Sequence, residues 1–192
     1  MPHPTLQIIR DEHAALAAVL RSLQMMIARG PQDQPERFFD VVRAMLFYID
    51  EFPERLHHPK ESDLLFPKLA RVAPELMPVI RKLEVDHMQG ENKVRGLQHL
   101  LMGWELIGDS RRVAFTDAAA KYVAFYLEHM RTEETELLPV AEKRLTEEDW
   151  SLLDAAFLSS RDPLAGGVRD PSYDRLFTRI VMTAPAPIGV GP

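Results

Sequence analysis

Over its first 145 residues the chain carries apolar side chains at three- and four-residue steps with polar residues between them, and strand-like alternation is scarce. That period matches an α-helix, so the chain can become little other than a packing of amphipathic helices. Leu6, Ile9, His13, Leu16 and Leu20 form one stripe, with Thr5 placed as an N-cap and Gly30-Pro31 as its end. A second helix is expected from Pro35, a first-turn proline, through Phe38, Val41, Val42, Met45 and Ile49 to about Ala70. Pro53 and Pro59 lie inside it; each removes a backbone donor and predicts a kink or local unwinding. A third helix is expected from about Pro74 to Ile107, ended by Gly108-Asp109-Ser110, and a fourth from about Arg111 to Leu145. Residues 1–145 therefore read as an all-α, up-down-up-down four-helix bundle.

Residues 146–192 change character and read as a C-terminal extension packed on the bundle. Thr146-Glu147-Glu148-Asp149 looks like a capped start to a short helix through Phe157. Arg161 to Pro171 is loop, and Tyr173 to Val181 predicts one more short helix, because Leu176, Phe177 and Ile180 share a face. Ala184 to Pro192 is too rich in proline and glycine for regular structure.

Composition removes several function classes. At 192 residues the chain suits one domain with a real core. A net charge of −6 with no basic run makes nucleic acid a poor partner. Cysteine is absent, which excludes disulfides, thiolate metal sites, iron–sulfur clusters and thiol nucleophiles. The opening Met1-Pro2-His3-Pro4-Thr5 lacks a basic-then-apolar secretion signal, and the apolar runs are too short for a membrane span. The expectation is a cytoplasmic protein without membrane or nucleic-acid partners; self-association into homo-oligomers is left open.

Of the seven histidines, three have glutamate four residues later: His57 with Glu61, His87 with Glu91, and His129 with Glu133. On a helix such pairs share a face and can reach one ion or two adjacent ones. The pattern alone is weak, since glutamate and histidine at this spacing also form solvated surface pairs. The bundle strengthens it. Counting back and forward from the loops near residues 30–34, 72–74 and 109, at about 1.5 Å per residue, places His13, His57, His87 and His129 within about two turns of one level. Histidines scattered over solvent faces have no reason to align, so metal binding is the favoured reading. His3 is set aside as part of a disordered end, and His99 as lying about 12 residues beyond that level. Neighbours on a helix point about 100° apart, so His57 and His58 are not both expected to face inward. Glu61 favours His57, which leaves His58 to line an access path or cap the site, and the irregular backbone before Pro59 keeps the reverse assignment open.

The order is then a lone histidine in Asp11-Glu12-His13, followed by His57-His58-Pro59-Lys60-Glu61 and Leu64-Leu65-Phe66-Pro67. Asp86-His87-Met88-Gln89-Gly90-Glu91 and Glu128-His129-Met130-Arg131-Thr132-Glu133 complete it. Over about residues 5–145 this set resembles the bacterial stand-alone hemerythrin-like (HHE cation-binding) proteins. The resemblance implies two iron ions (Fe2+/Fe3+) bridged by carboxylates and an oxo or hydroxo group. Glu61 and Glu133 match the bridging positions, His13 and His57 one iron, and His87 and His129 the other. Glu91 stands where the oxygen carriers of the family place a further histidine. Four His and three Glu are a hard, anionic set that favours ferric iron, which argues against reversible O2 carriage. Phe47, Phe52, Tyr122, Phe125, Tyr126, Met88 and Met130 are candidates for walling the site, or for ordinary core.

The function expected from this set is a non-haem di-iron protein meeting O2, NO or peroxide, in sensing, detoxification or iron handling. The alternatives are a non-catalytic iron storage or donor module, and a helical interaction protein whose histidines are incidental. Whether the chain is an enzyme is not fixed by the sequence.

Overall fold

A computed structural model describes residues 3–168 and 170–191. Met1 and Pro2, at the opening read above as lacking a secretion signal, lie outside the described residues. So do Arg169 and Pro192, the last residue of the tail expected to be irregular. Six helices account for the fold, and among the described residues no strand occurs. α1 is Pro4–Arg29 and ends at Gly30, whose φ of 71° closes the helix as glycine readily does. α2 spans residues 35–72, α3 is Met77–Ile107, and α4 spans residues 112–144. α1 and α3 each pack against both α2 and α4, which makes the four-helix bundle. None of these helices is long and apolar enough to cross a membrane.

Proline shapes α2 and α4 more deeply than a kink. In α2 the α-helical Pro35–Ile49 widens to a π-helix over Asp50–His57, tightens for His58–Lys60, widens again over Glu61–Leu65, and returns to α at Phe66–Val72. In α4 a matching π segment, Glu133–Leu137, separates Arg112–Thr132 from Leu138–Arg144. In each wide turn the N–H just before a proline reaches five residues back, Phe66 to Glu61 and Leu138 to Glu133. Pro67 and Pro139 then follow without breaking the helix.

The buried apolar residues form two cores. One gathers Leu20, Phe38, Phe39, Trp104, Phe115 and Tyr122 at one end of the bundle. The other gathers Leu6, Ile9, Leu65, Phe66, Leu83 and Leu137 at the opposite end. The C-terminal extension joins both. α5, Glu147–Ser159, starts with a complete capping box between Thr146 and Asp149 and lends Trp150, Leu153 and Phe157 to the second core. α6, Asp174–Thr183, lends Phe177 and Ile180 to the first. The tail after it runs in turns, and Ser22 ties it down by donating to the Pro185 carbonyl at 2.8 Å.

Two local expectations at the N-terminus are corrected by α5. Thr5 does not cap α1; His3 precedes the first turn, and both the N–H and the hydroxyl of Thr5 donate to Asp154, at 2.9 and 2.7 Å. His3 is ordered, its ring stacked on Trp150 at 4.3 Å. Neither partner is near in sequence, so local patterning does not reveal them.

Phe177 is fully buried against Tyr48 and Phe52 from α2. Phe177→Ala should therefore cost about 3–5 kcal/mol and lower Tm by roughly 10 °C in a single calorimetric transition. A drop of under about 2 °C, or two separated transitions, would show that the extension is not part of the cooperative unit.

Candidate metal centre

Between the two apolar cores lies a polar layer. Each bundle helix contributes to it where its apolar stripe passes from one core to the other: His13 on α1, His57, His58 and Glu61 on α2, His87 on α3, His129 and Glu133 on α4. All seven side chains are buried. Their donor atoms fall into groups that lie within 4.8 Å of one another, a span one ion can bridge: His13 with His57 and Glu61; His87 and His129 with Glu61 and Glu133; and His58 with His87 and His129.

Glu61 and Glu133 sit between the two ends. Glu61 Oε1 is 3.2 Å from His57 Nε2 and its Oε2 is 3.6 Å from His87 Nε2. Glu133 Oε2 is 3.2 Å from His13 Nε2 and its Oε1 is 3.5 Å from His129 Nε2. These approaches lack hydrogen-bond angles, so all four carboxylate oxygens and His57 Nε2 are buried without a hydrogen-bond partner. His87 Nε2 and His129 Nε2 face each other at 3.1 Å. Buried anions left unsatisfied in this way are costly unless a cation lies among them, and nitrogen with carboxylate oxygen is a donor set that divalent and trivalent metals accept.

Around the layer, the other ring nitrogen is held in four of the five histidines. His57 Nδ1 donates to Glu12 at 2.6 Å, His13 Nδ1 to Glu134 at 2.9 Å, and His58 Nδ1 to Glu54 at 3.1 Å. His87 Nδ1 meets the Ser62 hydroxyl at 2.8 Å. Asp86 stands 3.6 Å from His129 Nδ1, too far for a hydrogen bond but close enough to attract it. Such partners fix the tautomer and turn Nε2 toward the centre. The bracing is reciprocal. The acid preceding each lone histidine (Glu12, Asp86) faces the histidine of the next helix, and the residue following each central glutamate (Glu134, Ser62) holds a lone histidine.

His58 is the residue that helix geometry left out. It closes the wide turn of α2, with its N–H reaching back to Pro53 O, so His57 and His58 both face inward. Its ring stacks on His87 at 4.1 Å. Burial, then the neighbouring His87 and His129, holds its pKa well below the ordinary value, so it stands as a neutral imidazole. Glu54, which anchors it, also accepts from the Tyr126 and Tyr122 hydroxyls, and burial lifts its carboxyl to about 7. In α4 the position matching His58 is Met130, so one end of the layer offers three nitrogens and the other two. Beside the two-nitrogen end is a cavity of about 10 Å³, walled by Glu12, His13, Leu16, Pro53, His57, Met130 and Asp162 and touched by His58 from the other end, at the threshold for one water-sized molecule.

Glu91, expected in the ligand set from its spacing to His87, is not brought to the layer. Its carboxylate is 45% exposed and paired with Arg95. The seam of α3 runs through Ile80, Leu83, His87, Gly90, Val94, Leu97, Leu101 and Trp104, in strict alternation of three and four. Gly90 therefore faces inward and Glu91 turns aside. Phe47 and Met88, expected as site walls, are exposed, and Phe52 packs on Tyr48. Tyr126, Phe125 and Met130 do border the histidines, and His99 is exposed, away from them.

The family model described as the hemerythrin HHE cation-binding domain matches residues 5–141. Among curated proteins, none matches the chain.

Without metal, burial opposes charge on His13 and His57, but carboxylates outweigh it. Glu133 and Glu134 lift His13 to about 9, and Glu61 and Glu12 lift His57 to about 10. Both rings thus carry protons at pH 7 that a metal must displace. Metal affinity should rise with pH, by up to about 100-fold per unit for two protons released, and level off above pH 9–10. Calorimetric titration in buffers of different ionisation enthalpy reads the proton count; no proton release at pH 7 would refute the assignment. A second test is Gly90→Ala. Mid-helix, that change normally stabilises by about 1 kcal/mol. Here a Cβ would fall 1.9 Å from the Tyr126 hydroxyl and 2.8 Å from Glu54. The expected sign in urea unfolding is therefore destabilising.

Proposed function

Because the chain belongs to the hemerythrin HHE cation-binding family, we propose that its buried layer is a non-haem di-iron centre that meets a small diatomic molecule or peroxide. The observation that carries this reading is the unequal ends of the layer, with a small cavity set against the end that offers fewer nitrogens. His58, His87 and His129 would hold one ion and His13 and His57 the other. Glu61 and Glu133, with one oxygen toward each end, would span the two. Bound iron would supply electron transfer and a Lewis-acidic position for the small ligand.

The chain's own residues do the rest. Glu12, Glu134, Glu54 and Ser62 orient the imidazoles, so the ligand geometry is set before metal arrives. Leu16, Pro53 and Met130 keep the cavity mostly apolar and too small for anything larger than a few atoms. With His58 in the set and Glu91 outside it, the donors number five nitrogens and two carboxylates. The anionic third glutamate that argued against reversible O2 carriage is gone, so binding, sensing and detoxification of a small oxidant all fit this donor set. Four braced imidazoles of the five favour firmly held ions over an exchangeable store, and so disfavour the storage or donor reading. A purely structural interaction role gives no reason for four carboxylate oxygens buried without a hydrogen-bond partner.

Elemental mass spectrometry on protein purified without chelator is expected to give about two irons per chain, with near-ultraviolet charge-transfer absorption. His58→Ala should lose metal, whereas Glu91→Gln should keep the full content. Equal content in the two variants would remove His58 from the set, and absence of metal after anaerobic reconstitution with ferrous iron would end the di-iron reading.

A further inference from the structure

We propose that the loop of residues 160–168, which lies beyond the segment shared with the family, is the gate of the site cavity. Its Asp162 closes the cavity from the outside, and Tyr48 is its latch. The inference rests on the reading that this cavity receives a small molecule.

The placement is back to back. On the inner side, Asp162 is the cavity wall that does not come from the long bundle helices; the others belong to α1, α2 and α4. On the outer side, the same stretch floors an open groove bordered by Phe52, Leu56, Ser160, Arg161, Pro163 and Gly167. Pro53 and Asp162 face the cavity, while their chain neighbours Phe52, Arg161 and Pro163 face the groove. A single layer of loop and one turn of α2 thus separates solvent from the two-nitrogen end of the centre.

The loop is organised around Asp162. Its N–H donates to Glu12 Oε1 at 2.9 Å, and one carboxylate oxygen accepts from Leu164 N–H at 2.8 Å. Its carbonyl accepts from the Ala165 and Gly167 N–H groups at 3.0 and 2.9 Å. The other carboxylate oxygen accepts from the Tyr48 hydroxyl, which projects from the fully buried face of α2. Lys60 Nζ, donating to the Ser160 carbonyl at 2.7 Å, pins the near end. These tethers are a handful of directional polar bonds, in contrast to the apolar packing that fixes the bundle. Beside them only Leu164 packs, partly buried, against the first core, so local opening needs far less than unfolding.

Two substitutions loosen the loop without touching a metal-binding side chain. Tyr48→Phe keeps the ring packed and removes the latch. Gly167→Ala places a Cβ 2.2 Å from the Arg161 carbonyl oxygen, so the backbone of the loop must shift. Full-length wild type and both variants are compared in two ways. In chelator-treated protein, mass spectrometry follows modification of His13 and His57 by diethyl pyrocarbonate, with exposed His99 as the internal standard. In iron-loaded, reduced protein, stopped-flow absorbance follows association of nitric oxide. The gate predicts that each variant modifies His13 and His57 at least several-fold faster at unchanged His99 rate, and that nitric oxide associates faster at unchanged iron content. If neither histidine becomes more reactive in either variant, or if nitric oxide binds at the wild-type rate in both, the gate is overturned. If the histidines respond but iron-loaded wild type binds no nitric oxide, the gate stands and the small-ligand reading of the centre falls.

Discussion

Four carboxylate oxygens, from Glu61 and Glu133, lie in the middle of this bundle with no hydrogen-bond partner. An uncompensated buried carboxylate is unfavourable by several kcal/mol, so a fold that places two of them side by side is built to receive positive charge. The remainder of the architecture can be derived from that demand. Apolar cores above and below clamp the layer, so the helices hold their spacing whether or not an ion is present. Five imidazoles surround the oxygens, and most have the far nitrogen tied to an acid or hydroxyl. In the metal-free protein His13 and His57 take up protons and serve as surrogate cations, which is why their pKa values rise despite complete burial.

The two halves of the layer are built by the same short pattern used twice. His57 and His129 each precede a glutamate by four residues, and each glutamate begins a π turn that a proline follows six residues later. Proline brings no N–H and crowds the carbonyl four residues back; in the wide turn the N–H just before it instead reaches the carbonyl of the glutamate, five residues back. Symmetry fails at one position. α2 carries His58 where α4 carries Met130, so the pseudo-equivalent halves differ in the number of nitrogens they present. A symmetric site would offer a small molecule no preferred end; the broken one leaves the less coordinated end beside the cavity, against the methionine.

The helix boundaries and the common level of the histidines were legible in the sequence, because three-and-four periodicity and the rise per residue are local and additive. What was not legible depended on helices departing from that ideal. The rule that neighbours diverge by about 100° holds in an α-helix, but His57 and His58 straddle the end of a π segment, so both rings face the layer where one was expected. Glu91 departs from expectation the other way, lying outside the layer. In a regular helix the four-residue spacing shared by His57-Glu61 and His129-Glu133 does not guarantee a shared buried face. The strict seam through Leu83, His87, Gly90 and Val94 was the available signal that position 90 faces inward. A glycine there reads as a packing defect until Tyr126 and Glu54, arriving from two other helices to hold His58, are seen to fill its place.

The segment beyond the family match is bonded into the site. Glu12 uses one oxygen to hold His57 and the other to accept from the backbone of Asp162. Any displacement of the loop therefore removes a partner from the carboxylate that orients a metal-facing imidazole. α5 and α6 anchor the two ends of that stretch with large aromatic residues in opposite cores, Phe157 and Phe177, while the middle is held by polar contacts and by the partly buried Leu164 alone among its larger apolar side chains. Rigidity at both ends with directional bonds between them confines motion to the stretch that covers the cavity. The extension can thus govern access to the centre without loosening the bundle that supports it.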